Sequence, residues 1–107
     1  MNDDLANLTI ATAARQIKAG LLSPVALTEA LLARIEALDP QLDAFLTVTA
    51  EQALSAARKA EQEIAAGRYL GPLHGIPFGL KDIYDTAGIR TTGHSRTAEN
   101  RVPDTDA

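Results

Sequence analysis

The sequence predicts an α/β fold, and three observations carry that prediction. Residues 9–66 show apolar side chains at helical spacing, interrupted by residues suited to helix ends. Ala44-Phe45-Leu46-Thr47-Val48 is a short β-prone run between polar neighbours. Gly71–Asp85, reading GPLHGIPFGLKDIYD, is an apolar stretch punctuated by glycine and proline, with the character of a strand entering a core. Together they predict one domain over residues 1–107, a mainly helical lead-in (1–70) followed by a lysine-bearing strand and its loop (71–107), whose strands would join a larger mixed sheet.

Each element has its own signal. Residues 1–8 read as a frayed lead-in. A first helix opens at Thr9 or Thr12, with Ile10, Ala13, Ala14, Ile17 and Leu21 on one face. Gly20 stands where a helix end calls for positive φ. Ser23-Pro24 pairs an N-cap with a proline at the first helical position. The second helix should run to about Leu38, burying Leu27, Leu31, Ile35 and Leu38, and Pro40 should stop it. Thr49, with Gln52 three residues on, has the form of a capping box. It opens a third helix through Ala66 with Ala53, Leu54, Ala57, Ala60 and Ile64 inward, Glu61 and Glu63 on the solvated face, and Gly67 as its stop. After Asp85 periodicity fades. Residues 93–106 hold no large apolar side chain except Val102, so burial alone is not expected to fix them.

Composition narrows the function classes. A hydrophobic share of 46% with 22% charged residues suits an ordinary globular core, but much of the apolar share is alanine, which buries little area, so the core should be thin. Net charge is −4, spread along the chain, with no basic patch or aromatic platform; direct nucleic-acid contact is not expected. Without cysteine there is no disulfide, thiolate nucleophile or cysteine metal site. The acidic start MNDDLANLTI lacks a signal-peptide pattern, and no apolar run approaches the roughly 20 residues of a bilayer span. A cytoplasmic protein without membrane contact is the expectation.

The chemistry concentrates on Lys81. A lysine closing an apolar run is either at the wet end of a strand or is buried for a purpose, and burial favours the neutral amine, which can accept a proton. Asp82 is expected to accept backbone hydrogen bonds in the following turn, and Asp85 to be a turn residue. Gly93-His94-Ser95-Arg96-Thr97 fails the G-x-S-x-G nucleophile pattern at its last position, and His74 reads as a turn histidine ahead of Gly75. The glycines at 71, 75 and 79 match neither a dinucleotide nor a P-loop pattern.

GPLHGIPFGLKDIYDTAG, followed by IRTTGHS and VPDTDA, resembles the N-terminal part of the amidase signature family. Gly75, Ile76, Pro77, Lys81, Asp82, Gly88 and the Thr91–Thr92 pair carry the resemblance. It implies that Lys81 occupies the position of the lysine in a Ser–cis-Ser–Lys triad, which hydrolyses a small-molecule carboxamide without metal or organic cofactor. Members of that family are several-fold longer, and their two serines lie in a Gly/Ser-rich segment beyond the lysine. No such segment occurs here, so this stretch alone is expected to be an inactive N-terminal fragment. The family includes stand-alone amidases and the glutamine-hydrolysing A subunit of glutamyl-tRNA amidotransferase, and the acidic charge leans toward the former. From a different class comes a non-enzymatic remnant or interaction module. In it, exposed strand edges dock to another copy or to a partner chain that completes the sheet.

Overall fold

A computed structural model describes residues 3–107. It divides into two compact units, one running through Pro77 and the other from Phe78 to Ala107. The first holds four helices: α1 (Asp3–Ala6), α2 (Ile10–Lys18), α3 (Pro24–Leu42) and α4 (Ala50–Ala65).

The predicted helix starts follow from local chemistry. Thr9 caps α2, its hydroxyl accepting from the Thr12 N–H, and Ser23 caps α3 by accepting from the Ala26 N–H at 3.1 Å. Pro24 follows at the first helical position, where its missing N–H costs nothing. Thr49 stands at the N-cap of α4, but its side chain makes no capping bond, so the capping box is not formed. The ends are equally local. Beyond α2, the Leu21 N–H reaches back to the Gln16 carbonyl and the Gly20 N–H to that of Ile17, the paired bonds of a Schellman end, with Gly20 at φ +76°. The same pair closes α4 at Gly67.

Pro40 does not stop α3, which runs on through Leu42. The extra turn is sealed by one residue: the Asp39 carbonyl accepts from Asp43, and its carboxylate accepts from the N–H groups of Ala44 (2.7 Å) and Phe45 (3.2 Å). Asp43 ends the helix in the left-handed region at φ 51°.

Ala13, Ile17, Leu22 and Leu27 form the core, with Leu5, Leu8, Leu31, Ile64 and Ile76 packed against it. Ile17 is 1% exposed. The helical face is narrower than predicted: Ile10 and Leu38 are exposed, and Leu21 gives its place to Leu22 because the chain reverses at Gly20. The lead-in is structured, since α1 packs on α3 and Leu5 and Leu8 face the core; residues 1 and 2 lie outside the described part. Four of the seven buried apolar residues described are alanines, the thin core that the composition predicts.

Between Leu70 and Pro77 the chain makes a tight turn. His74 fastens it with both ring nitrogens: Nδ1 accepts from the Leu70 N–H at 3.1 Å, so the proton sits on Nε2, which faces Glu63 Oε1 at 3.4 Å. Glu63, read as solvated, is therefore half-buried and paired; it lies three residues beyond the buried Ala60, at the edge of the apolar stripe. The Tyr69 ring lies near that of His74 and carries the Lys18 ammonium 5.5 Å from its centroid.

The strand expectations fail among the described residues, which contain helices, turns and one isolated bridge, Thr86–Ile89. Residues 44–48 are exposed coil, with two of their N–H groups taken by Asp39. Residues 76–81 are unpaired, with Phe78 82% exposed and Leu80 and Ile83 more than half exposed. A strand exists only by pairing with another, and neither segment meets a ladder partner here.

Candidate functional site

The segment around Lys81 belongs to the second unit, Phe78–Ala107, which contains one turn of 3-10 helix at Arg96–Ala98 and no apolar core. Polar bonds organise it rather than burial, in keeping with the scarcity of large apolar side chains in residues 93–106. Two clusters do so.

The first gathers on Asp82. Its Oδ1 accepts from the Thr92 N–H at 2.9 Å, and its Oδ2 accepts from the Thr92 hydroxyl and from the His94 N–H at 3.3 Å. The Asp82 carbonyl takes the Gly93 N–H at 2.7 Å. The expected acceptor role is met, with the donors on residues 92–94 instead of the next turn. Thr91 and Thr92 are buried, at 4% and 7% exposed, and the Thr92 hydroxyl also accepts from the His94 N–H. His94 itself sits at φ 60°.

The second joins Asp85 to Arg101 in a two-pronged ion pair, Nη1–Oδ1 at 2.7 Å and Nη2–Oδ2 at 2.8 Å. Arg101 Nη1 also donates to the Thr91 carbonyl at 3.3 Å, and the Thr91 N–H returns a bond to the Arg101 carbonyl. The chain closes further out, with the Ala107 N–H on the Asp85 carbonyl and the Ala87 N–H on Asp106 Oδ1. Asp85 is thus an ion-pair partner and not merely a turn residue. No periodic pattern announced the pair, because its members lie 16 residues apart in an aperiodic segment.

The hydrogen bonds from Thr92 hold the Asp82 carboxyl below the ordinary carboxylate range, and the Arg101 guanidinium does the same for Asp85. Arg101 is raised in turn by Asp85. A carboxyl depressed in the fold stabilises it fully above the unfolded value near pH 4, and that contribution is lost as pH falls through the folded value. NMR titration of the side-chain carboxyls should therefore place the midpoints of Asp82 and Asp85 below about 4, with the 91–94 and 101 amide signals moving over the same acid range and steady from about pH 5 upward. An ordinary midpoint for Asp82 would mean that its bonds to Thr92 and His94 do not form in solution.

A cleft of about 300 Å³ opens over these clusters, with Asp82, Asp85, Thr91, Thr92 and Arg101 in its wall. Asp85 and Arg101 are paired with each other, the Asp82 carboxylate is taken up by Thr92 and His94, and Lys81 is not among the lining residues. The Lys81 side chain is exposed, and its Nζ has neither a hydrogen bond nor an ion pair among the described residues. Its carbonyl accepts from the Tyr84 N–H at 3.1 Å. Ser95 is exposed, and the ring nitrogens of His74 are both engaged, at Leu70 and Glu63. No group of acidic or histidine side chains suited to a metal occurs among the described residues, and no described helix is long and apolar enough to cross a membrane.

Known proteins resemble this chain over most of its length. The family model for amidases matches residues 26–107. The chain is 50% identical over 103 residues to the A subunit of the glutamyl-tRNA(Gln) amidotransferase of Geobacter sp. strain M21, an alignment covering 96% of this chain and 21% of that protein. It is 47% identical over 104 residues to the protein of the same description from Streptomyces coelicolor, covering 97% and 21%. Among solved structures, one from work on an unexpected vestigial protein complex that reveals the evolutionary origins of an s-triazine catabolic enzyme superposes with a TM-score of 0.88. It is 29% identical, and the match covers 94% of this chain and 22% of that one. The chain spans about a fifth of the length of the curated relatives it matches.

Proposed function

The chain belongs to the amidase family, and on that premise we propose that it supplies the lysine-bearing N-terminal portion of an enzyme that splits a carboxamide into carboxylate and ammonia. The observation that carries the reading furthest is the identity of half the aligned residues to the A subunit of a glutamyl-tRNA(Gln) amidotransferase. It favours an amidotransferase component working with partner chains over the stand-alone amidase that the charge alone suggested.

In this reading Lys81 is the proton carrier. Its unprotonated amine takes a proton from a bridging serine, which takes that of a nucleophilic serine as the serine oxygen attacks the amide carbonyl. The C–N bond breaks, the proton returns to the departing ammonia, and water releases the carboxylate from the acyl-enzyme. Both serines come from the remainder of the longer protein, as do the oxyanion donors. The unpaired segments 44–48 and 76–81 become strands when that remainder offers them ladder partners, which restores the α/β architecture.

Ammonia release from glutamine, measured on the full-length protein with and without its partner chains and glutamyl-tRNA(Gln), tests this reading. Hydrolysis stimulated by the charged tRNA is the expected result. Equal hydrolysis of simple carboxamides, indifferent to tRNA, would return the protein to the stand-alone amidases. A folded protein that releases ammonia from neither would sink the enzyme reading and favour a docking role for the exposed Phe78, Leu80 and Ile83.

A further inference from the structure

We propose that Asp82, acting with Thr92, is a positioning residue for Lys81: it fixes the lysine's main chain by tying the next residue to the 92–94 segment. The inference rests on the reading of Lys81 as the proton carrier and adds a partner to it.

A proton-transferring amine has to be held to within roughly half an ångström of its productive place, and a long lysine side chain is only as well placed as its backbone. Around Lys81 the usual means of holding a backbone are missing. Among the described residues the stretch has no ladder, and the neighbouring Phe78, Leu80 and Ile83 are exposed. A ladder supplied by the remainder of the protein would end at residue 81, so the chain on the far side of the lysine needs its own anchor. What remains is residue 82. Its carboxylate accepts from the Thr92 N–H, the Thr92 hydroxyl and the His94 N–H, and its carbonyl accepts from the Gly93 N–H at 2.7 Å. The Lys81 carbonyl adds the bond from Tyr84. Both the main chain and the side chain of Asp82 are thus tied to a segment whose own threonines are buried, which makes 91–92 a firm abutment.

The carboxylate is not a counter-ion for the lysine. Its partners are Thr92 and His94, and the Lys81 ammonium is not one of them. Asp82 therefore acts on the amine through one peptide unit. A carboxylate serves better than an amide here because it accepts at both oxygens, and the donors it meets are two N–H groups and one hydroxyl. Removing the clamp leaves Lys81 present but loosely placed. A misplacement of about 1 Å costs on the order of 100-fold in rate.

The test uses the full-length protein and its ammonia release from glutamine. Asp82→Ala and Thr92→Val should each lower kcat by about 10- to 100-fold while KM stays within about twofold. Thr92→Ser, which keeps the hydroxyl, should recover most of the rate. The double variant should be no slower than the worse single one, because both break one unit. Asp106→Ala is the control for mere loosening: it breaks the bond to Ala87 in the same unit, away from the 91–94 segment, and should lower the thermal midpoint while kcat stays within about twofold. If Asp82→Ala does not fold, the Thr92→Val and Thr92→Ser pair carries the test. Parental kcat in Thr92→Val, or an equal fall in Asp106→Ala at equal loss of stability, would overturn the positioning role. An inactive Lys81→Ala beside a fully active Asp82→Ala would remove the clamp and leave the lysine reading standing. A fully active Lys81→Ala would remove both.

Discussion

Lys81→Ala in the full-length protein is expected to lower kcat for amide hydrolysis by about 10⁴-fold, the scale seen when one member of a catalytic triad is removed. Stability should barely move. The Lys81 side chain is exposed and its Nζ has no partner among the described residues, so the substitution leaves no cavity and no orphaned charge. Surface changes of that kind stay within about 0.5 kcal/mol. Lys81→Arg sharpens the result. A guanidinium keeps the positive charge but cannot give up its proton in the working range, so it cannot take one from a serine. Arginine should be nearly as inactive as alanine. An arginine variant that retained activity would mean that the site needs a cation and not a base. The two variants, with kcat and thermal midpoint measured side by side, separate proton transfer from charge and both from folding.

The second large effect is on stability. Gly75→Ala should cost about 2–4 kcal/mol, the joint penalty of strained backbone and overpacking. The position has φ +85°, and an added Cβ would stand 2.9 Å from Pro24 Cγ and 3.1 Å from Pro24 Cβ. Pro24 is buried at the first position of α3, so it has no room to retreat. Gly20→Ala provides the comparison. Its φ is +76°, but nothing lies within 4 Å of the added carbon, so only the backbone penalty of about 1–2 kcal/mol applies. Urea unfolding of the two variants beside the parent would resolve the difference. Equal losses would show that the turn before the lysine segment does not rest on α3.

Much of the helical unit was legible because its signals are local. Thr9, Ser23-Pro24 and Gly20 act on residues three or four positions away, and a linear reading sees that far. Pro40 misled because its cost is offset by Asp39, whose two roles at Ala44 and Phe45 no pattern records. The strands did not form for a different reason: a β-prone apolar run expresses a preference for pairing, and the described residues include no partner for either. At the candidate site, the acceptor role of Asp82 could be anticipated from its place ahead of a turn, but not its donors ten or more residues on. The Arg101–Asp85 pair and the His74–Glu63 contact are products of tertiary geometry, with only the edge position of Glu63 on its helix as a hint.

The bonds that organise residues 78–107 have a further consequence for how the protein is made. Their side-chain links close over 10, 16 and 19 residues, at Thr92–Asp82, Arg101–Asp85 and Ala87–Asp106. Loop-closure entropy rises only with the logarithm of length, so such short spans are quick and inexpensive to close. None of the three waits for a sequence-distant strand or helix. In the longer enzyme proposed above, the segment bearing Lys81 can take its shape before anything downstream has left the ribosome. The lysine would then be a fixed point onto which later segments assemble.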